Sequence, residues 1–463
     1  MTNGRNQDAA AAAAHMTLAV NAPYLPLTTQ PYLVYLLVEI DDEAGGAALP
    51  VNLILVVDTS ESMHIRLVSE SQFEALARAG RLQEVLIDGV PAWQPVGITE
   101  EELNRLPSRM ERVRDALRAV VGQLRPADQF ALVAFASQAV TLVPSTAGAH
   151  KQRLLDAVQR LERLDLGERT HIAQGIEMGF AELQRARSPE RVDRLLVLTD
   201  GFTSDEDACR DWARQARRAR VPISTMGLGG DFNEELMIPI ADQTGGEAYL
   251  LEQPEEIPGA LARELQRAQA VRCRGLELKL RPASGVTVRA AHRVRPSIAP
   301  LEALDAGGSF TFPLGDLVAG DRPAALLELL VPPQPAGACH LAQVVLAYED
   351  PARAPVGQKA RADVTVQVTA DPARLTEQVG RVMDAVAGVS AYKLQRKAQE
   401  DVAVGNVGSA TRKLRAAATR LLDMGEAALA AEVEQQALEL EQHGQVDPQR
   451  TKKVRYQTRT LMH

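Results

Sequence analysis

Two patterns of hydrophobic and polar positions divide this chain. Between residues 49 and 269, short unbroken apolar runs alternate with stretches of helical period. Residues 51–57 (VNLILVV), 130–135, 195–199, 223–228 and 248–251 read as strands buried on both faces, with 140–143 as a short edge strand. Residues 111–123 and 154–161 carry the helical spacing. The alternation predicts a doubly wound, mostly parallel sheet of Rossmann-like α/β class.

From Leu276 the period changes to two. Leu276, Leu278 and Leu280 alternate with polar neighbours, as do Val364, Val366 and Val368, and apolar segments 310–314, 326–330 and 343–348 lie between them. This predicts an antiparallel β-sandwich over 270–370. Residues 32–40 (YLVYLLVEI) have no place in the α/β unit, so we assign 16–48 to the sandwich. The α/β domain, 49–269, then becomes an insertion between two parts of a β domain. From 371 to 463 the period is helical, with helices over 373–400, 408–423, 426–441 and 448–460 forming α-hairpins without a repeat signature. The basic run 452–459 reads as the solvated face of the last helix, with binding to an acidic surface as the alternative. Residues 1–15, an alanine run ending at His15, read as disordered or tag-like.

At 463 residues the chain is long enough for two or three domains, and 46% hydrophobic residues suffice for their cores. A net charge of −9 and 4% aromatic residues argue against nucleic-acid binding. Three separated cysteines, Cys209, Cys273 and Cys339, outline neither a disulfide framework nor a zinc cluster. No apolar run approaches the length of a membrane span, which takes about 20 residues. The reading is a cytoplasmic protein without a membrane span.

The candidate chemistry gathers where strands end. Asp58-Thr59-Ser60-Glu61-Ser62 follows the 51–57 run and sets a carboxylate and two hydroxyls at alternating positions. Thr199-Asp200-Gly201 follows a second run, and Gly167-Glu168-Arg169-Thr170 forms a polar turn before a helical stretch. In open α/β sheets this edge is where ligands bind. Hard oxygen donors of this kind suit Mg²⁺.

D-x-S-x-S, a loop threonine and T-D-G, in this order, resemble the metal-ion-dependent adhesion site of von Willebrand factor type A domains. The resemblance implies that Ser60 and Ser62 coordinate Mg²⁺, with Mn²⁺ or Ca²⁺ as alternatives. It implies that Thr170 joins directly or through water, that Asp58 and Asp200 orient bound waters, and that a partner's Asp or Glu fills the last position. The loop reads G-E-R-T-H where many relatives carry G-G-T-N, and Glu61 stands where Gly is common. Glu61, Glu168, Arg169 and His171 therefore form a candidate partner-contact rim. Trp93 joins it from an insertion, residues 64–107, that separates Ser62 from the first helix at Ser108. Within it, Asp88-Gly89 suits a hairpin turn, and Thr99 to Glu102 a capping box.

The domain order, with residues 31–39 and 227–234, resembles bacterial cytoplasmic proteins called calcium-activated chloride channel homologues or inter-alpha-trypsin-inhibitor-like proteins. The resemblance implies an intracellular signalling or assembly role beside an AAA+ ATPase, a Ser/Thr kinase or a phosphatase. A non-catalytic, metal-dependent protein-binding module is thus the leading reading. The alternatives are a metal-independent scaffold acting through the C-terminal helices, and metal-assisted hydrolysis with His171 or Glu168 as base. The sequence holds no G-x-x-x-x-G-K-[ST] loop and no H-E-x-x-H motif to favour hydrolysis.

Overall fold

A computed structural model of the chain describes residues 14–42, 49–64, 76–87, 90–96, 99, 108–230, 232–305, 307–351 and 357–462. Strands β1 (Ala14–Val20), β2 (Tyr24–Pro26) and β3 (Tyr32–Asp42) come first. The α/β unit runs β4 (Val51–Asp58), β5 (Leu82–Ile87), β6 (Val90–Pro95), α1 (Arg109–Gln123), β7 (Gln129–Phe135), β8 (Ala139–Ala147), α2 (Lys151–Arg160) and α3 (Ile172–Ala186). It continues through β9 (Val192–Thr199), α4 (Glu206–Ala219), β10 (Ile223–Leu228), α5 (Glu234–Thr244), β11 (Ala248–Leu251) and α6 (Ile257–Gln269). Then follow β12 (Val271–Pro282), β13 (Thr287–Arg295), β14 (Ala299–Pro300), β15 (Leu304–Asp305), β16 (Phe310–Val318), β17 (Ala324–Val331), β18 (Gly337–Glu349) and β19 (Gly357–Thr369). Helices α7 (Gly380–Ala403), α8 (Val407–Asp423), α9 (Ala427–His443) and α10 (Pro448–Arg459) close the chain.

The central sheet has the order β11-β10-β9-β4-β7-β8, parallel except for β8 at one edge. Every residue of β4 is buried, because helices cover both faces. That is the physical reason for its apolar run, in which the one polar residue, Asn52, donates to Leu183 O and Asp193 Oδ1. One face packs against α1, α2 and α6, and the other against α3, α4 and α5. Helix α3 comes unusually close to β4. A Cβ on Gly175 or Gly179 would stand 2.7 Å from the Val56 side chain.

The second architecture is a pair of sheets, ordered β1-β3-β17-β13-β14 and β15-β16-β12-β18-β19-β2. Their inner faces share one core that includes Leu36, Ile40, Leu278, Phe312, Leu327 and Val344. Strand β3 lies between β1 and β17, with Leu36 opposite Leu327. The chain leaves this sheet at Asp42, builds the α/β unit and returns to the sandwich at β12, in the opposite sheet. Strand β1 starts at Ala14, which is wholly buried and pairs with Asp42. Ala14 and His15, set aside as tag-like on composition, are therefore part of the sheet, because β3 offers them an edge to complete.

Two C-terminal expectations are corrected. The first helix begins at Gly380 rather than at 373, because Asp371 draws the backbone into a turn. Its side chain accepts from Ala373 N at 3.1 Å, its carbonyl accepts from Arg374 N, and Val379 N donates to Asn21 O at 3.0 Å. The basic run 452–459 is not a solvated face. Lys452, Arg455 and Arg459 are 8, 7 and 2% exposed. Lys452 donates to the Gly230 and Phe232 carbonyls at 2.7 and 2.9 Å, and Arg455 pairs with Glu234 and Glu235 on α5. Arg459 pairs with Asp242, also on α5, at 2.7 Å, and Arg293 of β13 meets the same carboxylate at 2.9 Å. Asp242 thus joins the α/β unit, the sandwich and the C-terminal helices.

Replacing Asp242 by Ala leaves two buried guanidinium groups without their carboxylate. Loss of a buried ion-pair partner costs about 3–5 kcal/mol. Thermal unfolding of Asp242→Ala is expected to start several degrees below wild type, and an unchanged profile would show that this junction does not hold the units together.

Candidate metal centre

The site forms where β4 and β9 end side by side, since Val57 lies opposite Leu198 in the parallel register. Asp58 is fully buried and both its oxygens are engaged. Oδ1 accepts from Ser60 N at 2.9 Å, and Oδ2 accepts from the Thr199 hydroxyl at 2.6 Å. Thr59 anchors the turn to β7 by donating its N–H to Phe135 O at 2.8 Å. Residues Glu61–His64 then form one 3₁₀ turn. This turn brings the Ser60 and Ser62 hydroxyl oxygens to 3.1 Å of each other, and Ser62 donates to Asp200 Oδ1 at 2.7 Å.

Thr170 reaches the same edge from the loop before α3. Its Oγ1 lies 3.8 Å from where a Cβ on Gly201 would stand, and its carbonyl accepts from the Thr203 hydroxyl at 2.9 Å. Gly167 permits the loop's path with φ +89°, and a Cβ there would press to 2.6 Å from Ser137 Oγ. Of the candidate rim, Glu61, Glu168 and Arg169 are exposed. His171 is half-buried, with Nδ1 3.1 Å from the Ser137 carbonyl. The hairpin β5–β6 has Ile87 opposite Val90 and Glu84 opposite Trp93. The Trp93 side chain, the Asp88-Gly89 turn and Glu102 of the capping box lie outside the described residues.

The oxygen donors suit a small hard cation. Adjacent ligands of octahedral Mg²⁺, each at about 2.1 Å, stand about 2.9 Å apart. The Ser60–Ser62 and Ser62–Asp200 separations bracket that value. Among the described residues no group of three or more His, Cys, Asp or Glu side chains gathers as a metal cluster, so the donors on offer here are mainly hydroxyls.

Several residues of this site escaped the sequence reading. Arg109 Nη1 lies 2.6 Å from Asp200 Oδ2. Thr203 and Asp205 receive the first N–H groups of α3, from Ile172 and Ala173 at 3.2 and 3.1 Å, and so hold the threonine loop. Phe202, next after Asp200-Gly201, is 64% exposed. A large apolar side chain directly after T-D-G was the available signal for Phe202. The start of α1 at Ser108 matched the sequence, and Ser108-x-x-Glu111 forms a capping box seen in both hydrogen bonds, but nothing local gave the direction in which Arg109 reaches.

Comparison with known proteins follows the same division. Residues 105–263 match the family model of the von Willebrand factor type A domain, and residues 380–463 match that of the Sll0103-like, C-terminal alpha-helical domain. Thr170 and Asp200 fall within the first match, whereas Asp58, Ser60 and Ser62 precede it, on the other side of the insertion. The Synechocystis protein sll0103 is 24% identical over 323 residues, covering 67% of this chain and 74% of its own length. Inter-alpha-trypsin inhibitor heavy chain H1 of Mesocricetus auratus is 26% identical over 151 residues, 30% of this chain and 16% of the heavy chain. Among solved structures, von Willebrand factor type A from Catenulispora acidiphila covers 99% of this chain and 98% of its own with TM-score 0.74 at 16% identity, a likeness of fold.

Burial pushes the Asp58 carboxyl from its ordinary 3.8 up to about 6; the hydrogen bonds from Thr199 and Ser60 oppose the rise and the Asp200 charge adds to it. A folded-state value above the unfolded one means that the folded protein holds the proton longer. The stability contribution is therefore greatest at low pH, declines as pH rises from about 4 to about 6, and is flat above, with a total of up to about 3 kcal/mol. In EDTA, wild type should lose stability relative to Asp58→Asn across that window in pH-dependent urea unfolding. Parallel curves for the two proteins would contradict the assignment.

Proposed function

Starting from a chain that carries a von Willebrand factor type A domain and an Sll0103-like C-terminal helical domain, we propose that it is a non-catalytic protein-binding module whose α/β edge holds a divalent cation, Mg²⁺ first, with Mn²⁺ or Ca²⁺ as substitutes. The observation that carries this reading is the run of oxygens from Ser60 through Ser62 to Asp200, at ligand-like spacing, on the ends of two central strands. Ser60, Ser62 and Thr170 would hold the ion, with Asp58 and Asp200 behind them. When bound, the ion supplies a positive charge that attracts an anionic oxygen.

The chain's own residues decide what approaches. Asp58 is committed to Ser60 N and Thr199, so it fixes the serine turn rather than meeting a partner. Thr203 and Asp205 steady Thr170 from behind. Outside this polar floor stand exposed Phe202 and the charged side chains of Glu61, Glu168 and Arg169. That combination favours a protein partner presenting an Asp or Glu beside an apolar side chain that covers Phe202. Apolar cover lends affinity that a charge contact alone does not, because desolvating both charges is costly. The hairpin carrying Trp93 belongs to the same recognition surface in this reading. A bacterial cytoplasmic assembly with an AAA+ ATPase, a Ser/Thr kinase or a phosphatase is the setting we propose, and three buried cysteines outside any disulfide agree with a reducing compartment.

Affinity capture from native cell extract with the full chain tests this, run in Mg²⁺, in EDTA and with Ser60→Ala in Mg²⁺. A partner retained only in the first condition is the expected result. Identical partners in all three would transfer the binding role to the metal-independent C-terminal helices. For a partner so identified, Phe202→Ala should weaken binding about tenfold while leaving Mn²⁺ affinity unchanged. Equal partner affinity would remove Phe202 from the contact surface.

A further inference from the structure

Arg109 is a feature of the site that the proposed function does not use. It is the first residue of α1, and the capping box fixes its backbone. Ser108 Oγ accepts from Glu111 N at 3.1 Å, and Ser108 N donates to Glu111 Oε2 at 3.0 Å. From this start the guanidinium reaches Asp200 Oδ2 at 2.6 Å, with the Arg109 side chain 14% exposed and that of Asp200 fully covered. Asp200 therefore has one oxygen on Ser62 and the other on Arg109.

The backbone around the guanidinium leaves it room. Gly229 follows β10 with φ +71°, and a Cβ there would stand 3.1 Å from Arg109 Nη2. The loop is held from its other side. Gly229 N donates to Leu251 O at 2.8 Å, the Gly230 carbonyl accepts from Lys452 Nζ at 2.7 Å, and Gln449 packs where a Gly230 Cβ would lie. Arg109 is thus lodged between the ends of the central strands and a loop that α10 clamps.

We infer that Arg109 is an internal counter-ion that competes with the divalent cation for Asp200, so that metal uptake is an exchange of cations rather than simple filling of a site. This rests on the metal-binding reading above. Asp58 and Asp200 supply two negative charges when both are ionised, and Arg109 cancels one of them. A divalent ion arriving with Arg109 in place meets a like charge across a single carboxylate. At the dielectric typical near a protein surface, two unit charges about 4 Å apart interact by several RT. Release of the guanidinium from Asp200 Oδ2 removes that repulsion and frees the oxygen. The same ion pair gives the metal-free protein a partner for a buried carboxylate, which would otherwise stand uncompensated. The consequence is a site that stays folded without metal and binds metal less tightly than its oxygen set alone would allow.

The test is titration of the full chain with Mn²⁺, followed by calorimetry and by the electron paramagnetic resonance signal of free Mn²⁺. The proteins are wild type, Arg109→Ala, Arg109→Gln, Arg109→Lys and Ser60→Ala. Removing the charge in Arg109→Ala and in Arg109→Gln is expected to tighten Mn²⁺ binding at least about tenfold, while Arg109→Lys stays near wild type. Thermal unfolding gives a second readout. In EDTA the two neutral variants should melt below wild type, and saturating MgCl₂ should raise them more than it raises wild type. Mn²⁺ binding that is present, sensitive to Ser60→Ala and unchanged or weakened in both neutral variants would overturn the competitor role and leave the metal site standing. Absence of Ser60-dependent Mn²⁺ binding in every protein would overturn both.

Discussion

Two carboxylates buried at the ends of adjacent parallel strands set the main constraint on this molecule. Asp58 and Asp200 are 0 and 2% exposed, and neither can keep a charge there without compensation. They are compensated differently. Asp58 receives a hydroxyl and a backbone N–H, and its affinity for protons is raised. Asp200 receives the Ser62 hydroxyl and the Arg109 guanidinium. The serine turn, the threonine loop and the first turn of α1 are all positioned by this requirement. In the proposed reading, negative charge at this edge is also what would draw a cation to it.

The surrounding architecture makes the edge stiff on one side and open on the other. Below it, β4 is buried on both faces, and α3 approaches so closely that glycine is required at 175 and 179. To the side, α10 grips the loop between β10 and α5 through Lys452 and pins α5 through Arg455 and Arg459. Since α5 also meets β13 at Asp242, the C-terminal helices, the sandwich and the site domain share one charged junction. The rim, with Glu61, Glu168, Arg169 and Phe202, faces outward. A recognition surface on a rigid floor has few degrees of freedom to lose when a partner docks.

Much of this was legible from residues alone, for identifiable reasons. The central strands announced themselves because a strand covered on both faces is mostly apolar, as in 53–57 of β4 and 195–198 of β9. Asp58, Ser60, Ser62 and Asp200 followed because their positions after such strands fix which edge they reach. The place of β3 in the sandwich was open to inference because residues 32–40 were mostly apolar and unused elsewhere, although its partner β17 was not. What stayed hidden depended on long-range electrostatics. The run 452–459 has the same composition whether its charges meet water or, as here, Glu234, Glu235 and Asp242. Arg109 could be placed at the head of a helix by its capping box, yet nothing local told that Asp200, far along the chain, would be its partner.

In the proposed exchange, an ion held by Ser60, Ser62 and Thr170 takes the place of Arg109 beside Asp200. Crystals of the full chain grown with MnCl₂, with anomalous diffraction recorded, address it directly. An anomalous peak within coordination distance of the Ser60 and Ser62 hydroxyls is expected, with the Arg109 guanidinium withdrawn from Asp200. Mn²⁺-equilibrated crystals with no peak at this edge, and Arg109 still paired with Asp200, would contradict it.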